Sequence, residues 1–172
     1  MSELLARSAA LSGGAAGCYI RELGRFFKLS PLFRRERTMK PHLWIACGAV
    51  LAALSVVTGA FGAHGLRPAL EKNAELSAEQ VARRLETYET AARYHMYHAI
   101  AIVLAGLLAS HFASRWLDVA GACFTLGILI FSGLCYALAL GGPKFLGAIV
   151  PIGGVAFILG WLAMAVAAAS KG

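Results

Sequence analysis

Four stretches of the chain, each about twenty residues long, contain no Asp, Glu, Lys or Arg. They cover about residues 43–63, 94–112, 119–140 and 145–169. A helix of about 20 apolar residues crosses the roughly 30 Å hydrocarbon core of a bilayer. Backbone N–H and C=O groups find no water there, so a spanning segment must be a helix or part of a closed barrel. We therefore predict an all-α integral membrane protein, a four-helix bundle formed by residues 39–172.

The composition supports a membrane protein rather than a soluble domain. Of the 172 residues, 59% are hydrophobic and 15% are charged, whereas soluble domains average about 25% charged residues. Much of the net charge of +7 comes from residues 1–40, which hold eight Lys/Arg and three Glu. This charge is typical of a segment that flanks a membrane, and we expect no nucleic acid partner.

Residues 1–38 differ in composition from the rest of the chain. We expect a basic N-terminal extension that is either disordered or interfacial. Tyr19, Leu23 and Phe26 recur at helical spacing, which is compatible with an amphipathic helix on the membrane surface. An alternative interpretation is that the native protein starts at Met39.

A polar segment, residues 64–90, separates the first two apolar stretches and is expected to form a loop within which a helix begins. Near its end, Ser77 stands three residues before Gln80, the capping-box pattern that begins a helix. The apolar residues that follow recur at steps of four and three: Val81, Leu85 and Tyr88. We therefore predict an amphipathic surface helix that continues directly into the second span.

The fourth apolar stretch contains Pro151, about two turns from its start. Proline has no N–H to bond the carbonyl four residues earlier, which here belongs to Gly147. We therefore predict that the helix is kinked or broken at Pro151, so that its first seven residues could form a separate short segment.

Several motifs follow one another along these stretches. They are GAFGAHGL at 59–66, YHMYHA at 94–99, FSG at 131–133 with Tyr136, and PIGG at 151–154 with Gly160 and Trp161. Over about residues 41–169 the chain resembles the small four-span membrane family known as domain of unknown function 423, whose animal relatives are called transmembrane protein 256. The resemblance implies a multi-pass protein, in bacteria one of the inner membrane. It implies no activity.

Polar residues near the span ends define a candidate site. With four spans, the first and third end on the side where the second and fourth begin. One leaflet therefore holds His64, Tyr94, His95, His98, Ser132 and Tyr136. His98 shares a helical face with Ala101 and Ala105, so we predict that it points into the bundle. We expect it to hydrogen-bond to Ser132 or to the backbone near residues 147–151.

Three interpretations of this cluster remain open. The polar groups could bond across helices and stabilise the bundle. They could line a small cavity for a substrate, proton or ion around His98 and Ser132, since ionisable groups at membrane depth are often functional. His64, His95 and His98 could bind a metal or haem. The predicted spans contain no carboxylate, which disfavours proton-coupled transport and acid–base catalysis.

The sequence favours a structural or accessory membrane component, with no catalytic residue, cofactor or bound metal. Its expected partners are the lipid bilayer and either a second copy or another membrane protein. The alternative is a small transporter or channel, for which a water-filled pocket should reach His98 from one side. A structural bundle should be sealed at that point.

Overall fold

A computed structural model describes residues 40–170. Within that range the chain forms four long helices: α1, Pro41–Glu71; α2, Ala78–His111; α3, Arg115–Ala139; and α4, Leu146–Ala169. Each is long and apolar enough to cross a membrane, and the described part contains no strand. The predicted all-α membrane architecture is confirmed. The extension proposed for residues 1–38 lies outside the described residues, and its boundary stays a prediction.

The first helix is longer than predicted. The regular helix of α1 passes through one π-helical turn, Gly62–Leu66, and resumes at Arg67–Glu71. The prediction of a loop before Ser77 is therefore wrong for residues 64–71, because only residues 72–77 connect α1 to α2. A small apolar cluster at this end of the bundle favours the extra helix. Its buried members are Leu66, Leu70, Leu85, Tyr88 and Ala139.

The second helix begins with the predicted capping box. The Ser77 hydroxyl accepts a hydrogen bond from the Gln80 backbone N–H at 3.2 Å, and the Gln80 side chain accepts one from the Ser77 N–H at 2.8 Å. From there α2 runs unbroken, so the predicted surface helix and the second span are one element. It is also the central helix, since it packs along both α1 and α3 while α4 packs mainly on α3.

Glycine allows α1 and α2 to approach closely. A Cβ atom added at Gly48 would lie 2.7 Å from the carbonyl oxygen of Ala99, and one at Gly106 would lie 2.9 Å from that of Pro41. Backbone atoms cannot move aside as a flexible side chain can. Such close contacts matter in lipid, because there is little hydrophobic drive for helices to associate.

The third helix contains a second π-helical turn, Ile128–Ser132, and ends in a Schellman motif. The Gly142 N–H donates to the Ala137 carbonyl at 2.8 Å, and the Gly141 N–H donates to the Leu138 carbonyl at 3.1 Å. Gly141 has a φ of 99°, a conformation that glycine adopts without strain. This turn reverses the chain into α4.

The fourth helix is not broken at Pro151, contrary to the prediction of a separate first segment. Leu146–Ala169 is one helix that contains the proline. Pro151 is only the sixth residue of α4, so its missing N–H removes a single bond, to Gly147 in the first turn. Gly147 is exposed. A bend at Pro151 stays a prediction.

The interior of the bundle combines small residues with a few large ones. The buried core cluster consists of Trp44, Ala99, Ala101, Ile102, Ala120, Phe124, Ile128, Phe157 and Ala163. The outward faces also carry large apolar side chains, among them Val57 on α1, Leu129 on α3 and Ile158 on α4. An apolar outside and an interior closed by small residues are what a bilayer environment requires.

Candidate functional site

His98 lies in the middle of the packed helices, as predicted. Its side chain is 6% exposed. The ring donates through Nδ1 to the Tyr94 carbonyl oxygen at 2.8 Å, and Nε2 accepts from the Trp161 indole N–H at 3.3 Å. These partners assign the neutral tautomer with the proton on Nδ1, because a carbonyl only accepts and an indole only donates. Both ring nitrogens of His98 are therefore satisfied.

Aromatic rings enclose the His98 imidazole. The Phe157 ring lies parallel to it, with 3.5 Å between centroids and 8° between planes. Phe124 lies at 5.6 Å, Tyr94 at 5.9 Å and Trp161 at 6.2 Å, all between centroids. The flat ring is thus fixed by contacts from α2, α3 and α4. The arrangement gives His98 tight packing and a complete set of hydrogen bonds.

The predicted partners of His98 were wrong. We expected Ser132 or the backbone near residues 147–151, but the interhelical partner is Trp161. Trp161 lies ten residues beyond Pro151, which is about 15 Å along a helix. Counting residues from the span ends therefore placed His98 too close to the start of α4. The long indole of Trp161 extends inward from a half-exposed position. The spacing of residues in the sequence does not indicate that this side chain can contact His98.

His95 and Tyr136 belong to a second polar group, which joins three helices. The Tyr136 hydroxyl lies 2.9 Å from the Thr58 hydroxyl and 3.4 Å from His95 Nδ1. Thr58 in turn donates to the Ser55 carbonyl oxygen at 3.0 Å. The Tyr88 ring is tilted by 57° against that of Tyr136, with 4.8 Å between centroids, and the Tyr88 hydroxyl donates to the Thr58 carbonyl oxygen at 2.9 Å. Thr58 was not among the candidates predicted from the sequence.

The remaining candidates are divided between the interior and the surface. Ser132 is completely buried in α3, whereas His64 is exposed on the π-helical turn of α1. Tyr94 is 42% exposed, and its ring lies 4.8 Å from that of Phe131. Within residues 40–170, no group of three His, Cys, Asp or Glu side chains is arranged to hold a metal ion. His64 therefore does not join His95 and His98 in a site of that kind.

A further polar contact lies near the opposite end of the bundle. The indole N–H of Trp44 on α1 donates to the Asp118 carboxylate on α3 at 2.8 Å. The Trp44 ring also covers Gly121, where an added Cβ would lie 2.7 Å from it. Neither residue was among the candidates predicted from the sequence. Nothing in their spacing, 74 residues apart, indicates the pair.

A cleft lies between α1 and α2, near the short connection of residues 72–77. Its volume is about 210 Å³. It is lined by Gly59, Gly62, Ala63, Arg67, Leu85, Tyr88, Glu89 and Ala92. Neither His98 nor Ser132 lines it, so the cleft does not provide the water-filled access to His98 that a transporter would need.

Comparison with known proteins assigns the chain to a family. The model of DUF423, described as a protein of unknown function, matches residues 58–154. A UPF0382 membrane protein of Staphylococcus epidermidis is 41% identical over 125 residues, which cover 73% of this chain and 93% of that protein. The UPF0382 membrane protein YwdK of Bacillus subtilis is 38% identical over 127 residues, with coverage of 73% and 95%.

No solved structure matches the chain. The relatives are bacterial membrane proteins by name, and the described residues form four helices able to span a membrane. The resemblance noted in the motifs is confirmed, as is the multi-pass membrane location that it implied. The chain belongs to the DUF423 family of membrane proteins of unknown function.

Proposed function

We propose that this protein is a non-catalytic structural or accessory component of its membrane, and that its buried polar groups hold the helices together. The observation that carries the proposal is the environment of His98. Both of its ring nitrogens are bonded, its ring is stacked on Phe157, and little of it is exposed. A histidine that exchanged a substrate or an ion would need a free nitrogen and an open path.

Close packing around His98 supports the same proposal. A Cβ added at Gly127 would lie 2.4 Å from the Phe157 ring, and one at Gly160 would lie 2.5 Å from the Phe124 ring. Phe157 and Phe124, two of the rings that enclose His98, thus pack directly against the backbone at these glycines. Water entry at this level would require these helices to separate. The packing therefore favours a sealed bundle over the transporter or channel interpretation.

An accessory role requires a partner, either a second copy or another membrane protein. The outward faces of α1 and α4 offer it the most surface, since these are the least buried of the four helices. In the apolar parts of α1 and α4, 17% and 22% of the residues are buried, compared with 44% in α2 and 33% in α3. Lipid covers these faces in the monomer. Cross-linking of membranes that contain the protein, followed by mass spectrometry, would identify a partner that replaces lipid.

Flux measurements test the proposal against transport. The protein is reconstituted into liposomes that contain a pH-sensitive dye, and gradients of protons and of monovalent cations are imposed. We expect the same leak as in empty liposomes, with an ionophore added at the end to show that each vesicle was intact. A flux that the wild type supports and His98→Leu abolishes would contradict the structural proposal.

A further inference from the structure

The hydrogen bonds around Tyr136 have a fixed direction. Thr58 donates its only hydroxyl proton to the Ser55 carbonyl oxygen, so Thr58 must accept from Tyr136 across their 2.9 Å contact. Tyr136 has then used its own proton. It can only accept from His95, so Nδ1 of His95 carries a proton.

This direction leaves Nε2 of His95 as an acceptor. In the neutral ring one nitrogen donates and the other accepts, and Nδ1 is the donor. Nε2 is buried, and no atom of residues 40–170 donates a hydrogen bond to it. His98 provides the contrast in the same helix, because its Nε2 receives the Trp161 N–H. Nε2 of His95 therefore lacks a hydrogen-bond donor among the described residues.

Ser132 has the complementary deficiency. Its hydroxyl is completely buried and has no hydrogen-bond partner among the described residues. Other hydroxyl groups within the helices bond to their own backbone, as Thr125 does to Gly121 at 2.8 Å and Thr87 to Arg83 at 2.8 Å. Ser132 ends the π-helical turn of α3, where the carbonyl spacing differs from that of an α-helix. Its hydroxyl proton therefore lacks an acceptor.

Helix register brings His95 and Ser132 to nearby depths in the bundle. The ring contact between Tyr94 and Phe131, at 4.8 Å between centroids, aligns α2 with α3. His95 and Ser132 follow these two residues, and because α2 and α3 run in opposite directions they are offset by about 3 Å along the bundle axis. Ser132 also lies four residues before Tyr136, on the same face of α3, and Tyr136 contacts His95 edge-on at 6.2 Å between centroids. Both unpartnered atoms thus belong to the seam between α2 and α3.

We propose that one buried water molecule binds in this seam, accepting from the Ser132 hydroxyl and donating to His95 Nε2. A buried polar atom without a partner is costly, and buried waters are found where two to four polar groups converge. Water is the simplest ligand that both accepts and donates. It extends the chain from Thr58 through Tyr136 and His95 to Ser132, linking α1, α3 and α2.

Thermal stability of single and double variants in mild detergent tests this site. If Ser132 bonds to the water, Ser132→Ala lowers the melting temperature, whereas Thr125→Val, which removes a hydroxyl bonded within its own helix, changes it little. In a His95→Phe background, Ser132→Ala should have no further effect. A melting temperature that is unchanged or raised by Ser132→Ala would overturn the proposal. So would an equal loss in both backgrounds.

An experimental structure that resolves ordered water separates this site from a direct bond. We expect an oxygen peak about 3 Å from both Ser132 Oγ and His95 Nε2. A direct contact between those two atoms, or a different molecule in the seam, would overturn the proposal even if the variants behave as expected. The wild-type protein suffices for this measurement, so it does not depend on how well a variant folds.

Discussion

The imidazole of His98 lies parallel to the ring of Phe157, with 3.5 Å between their centroids. This stack is a direct contact between α2 and α4. The backbones of these two helices are otherwise well separated, because α4 packs mainly on α3. The Trp161 N–H closes the same contact from one turn further along α4. A few aromatic and polar atoms thus help to hold α4 against α2. Such contacts matter in the bilayer, because burial of apolar surface does little there to drive helices together.

Replacing His98 with Leu should destabilise the bundle. The variant loses the hydrogen bond from Trp161 and the stacked ring, and interhelical hydrogen bonds in membranes contribute about 0.6–1.7 kcal/mol. We expect a loss of about 1–2 kcal/mol in the free energy of unfolding, measured by denaturation in mixed micelles. The number and direction of the spans should not change.

His111 supplies the matched control for that variant. Its Nδ1 bonds to the Leu107 carbonyl at 2.8 Å, the same local bond that His98 makes to Tyr94, but His111 is exposed at the end of α2. His111→Leu should therefore leave stability almost unchanged. Equal effects of the two substitutions would mean that the contacts to α4 contribute nothing.

Two glycines of α1 should respond in opposite ways to substitution by alanine. Gly48→Ala places a methyl group against the Ala99 backbone, and overpacking of this kind costs about 1–3 kcal/mol. Gly59 has nothing within 4 Å of an added Cβ, so Gly59→Ala should be neutral or stabilise by up to about 1 kcal/mol through helix propensity. Unfolding of the two variants side by side measures the difference. Similar losses in both would show that α1 does not approach α2 as described.

The contact between Trp44 and Asp118 should contribute to stability at the other end of the bundle. Trp44→Phe keeps a ring over Gly121 but removes the indole donor, and a hydrogen bond to a charged group contributes about 1.5–3 kcal/mol. Trp116→Phe is the control, because Trp116 is exposed beside Arg115. We expect a loss near the lower end of that range for Trp44→Phe, measured by thermal unfolding. A loss no larger than that of Trp116→Phe would show that the hydrogen bond between Trp44 and Asp118 does not contribute to stability.

A chain that begins at Met39 should insert into the membrane and fold normally. All four helices lie within the part of the chain that starts after it, and the family match begins at residue 58. Membrane fractionation and thermal unfolding of the full and shortened chains provide the comparison. Failure of the shortened chain to accumulate in the membrane would make residues 1–38 integral to the fold.

The number of helices and the start of α2 could be predicted because local chemistry determines them. The length of an uncharged stretch determines whether it can span the membrane. Ser77 and Gln80 start α2 through local hydrogen bonds that do not depend on the rest of the fold. The end of α1 could not be predicted in this way. Its last turns depend on Leu66 and Leu70 meeting Leu85 and Tyr88 across two helices, which a single polar stretch of sequence does not indicate.

The candidate site was predicted in part. Burial of His98 followed from helical phase, since Ala101 and Ala105 share its face. The choice of Trp161 over Ser132 depends on how far α4 is displaced along α2, which the spacing of residues in the sequence does not indicate. The π-helical turn Ile128–Ser132 also has no signal in the apolar sequence ILIFS, yet it ends at the buried Ser132 hydroxyl.

Cysteine accessibility at position 98 tests the sealed bundle most directly. The four native cysteines are replaced, and His98→Cys and His64→Cys are each treated in membranes with a water-soluble thiol reagent. His64 is exposed on the π-helical turn of α1, so the thiol introduced at position 64 should react from one side of the membrane. We expect the thiol at position 98 to stay unlabelled from both sides. Labelling at position 98 from either side would reveal a water path to the centre of the bundle and would contradict the structural account.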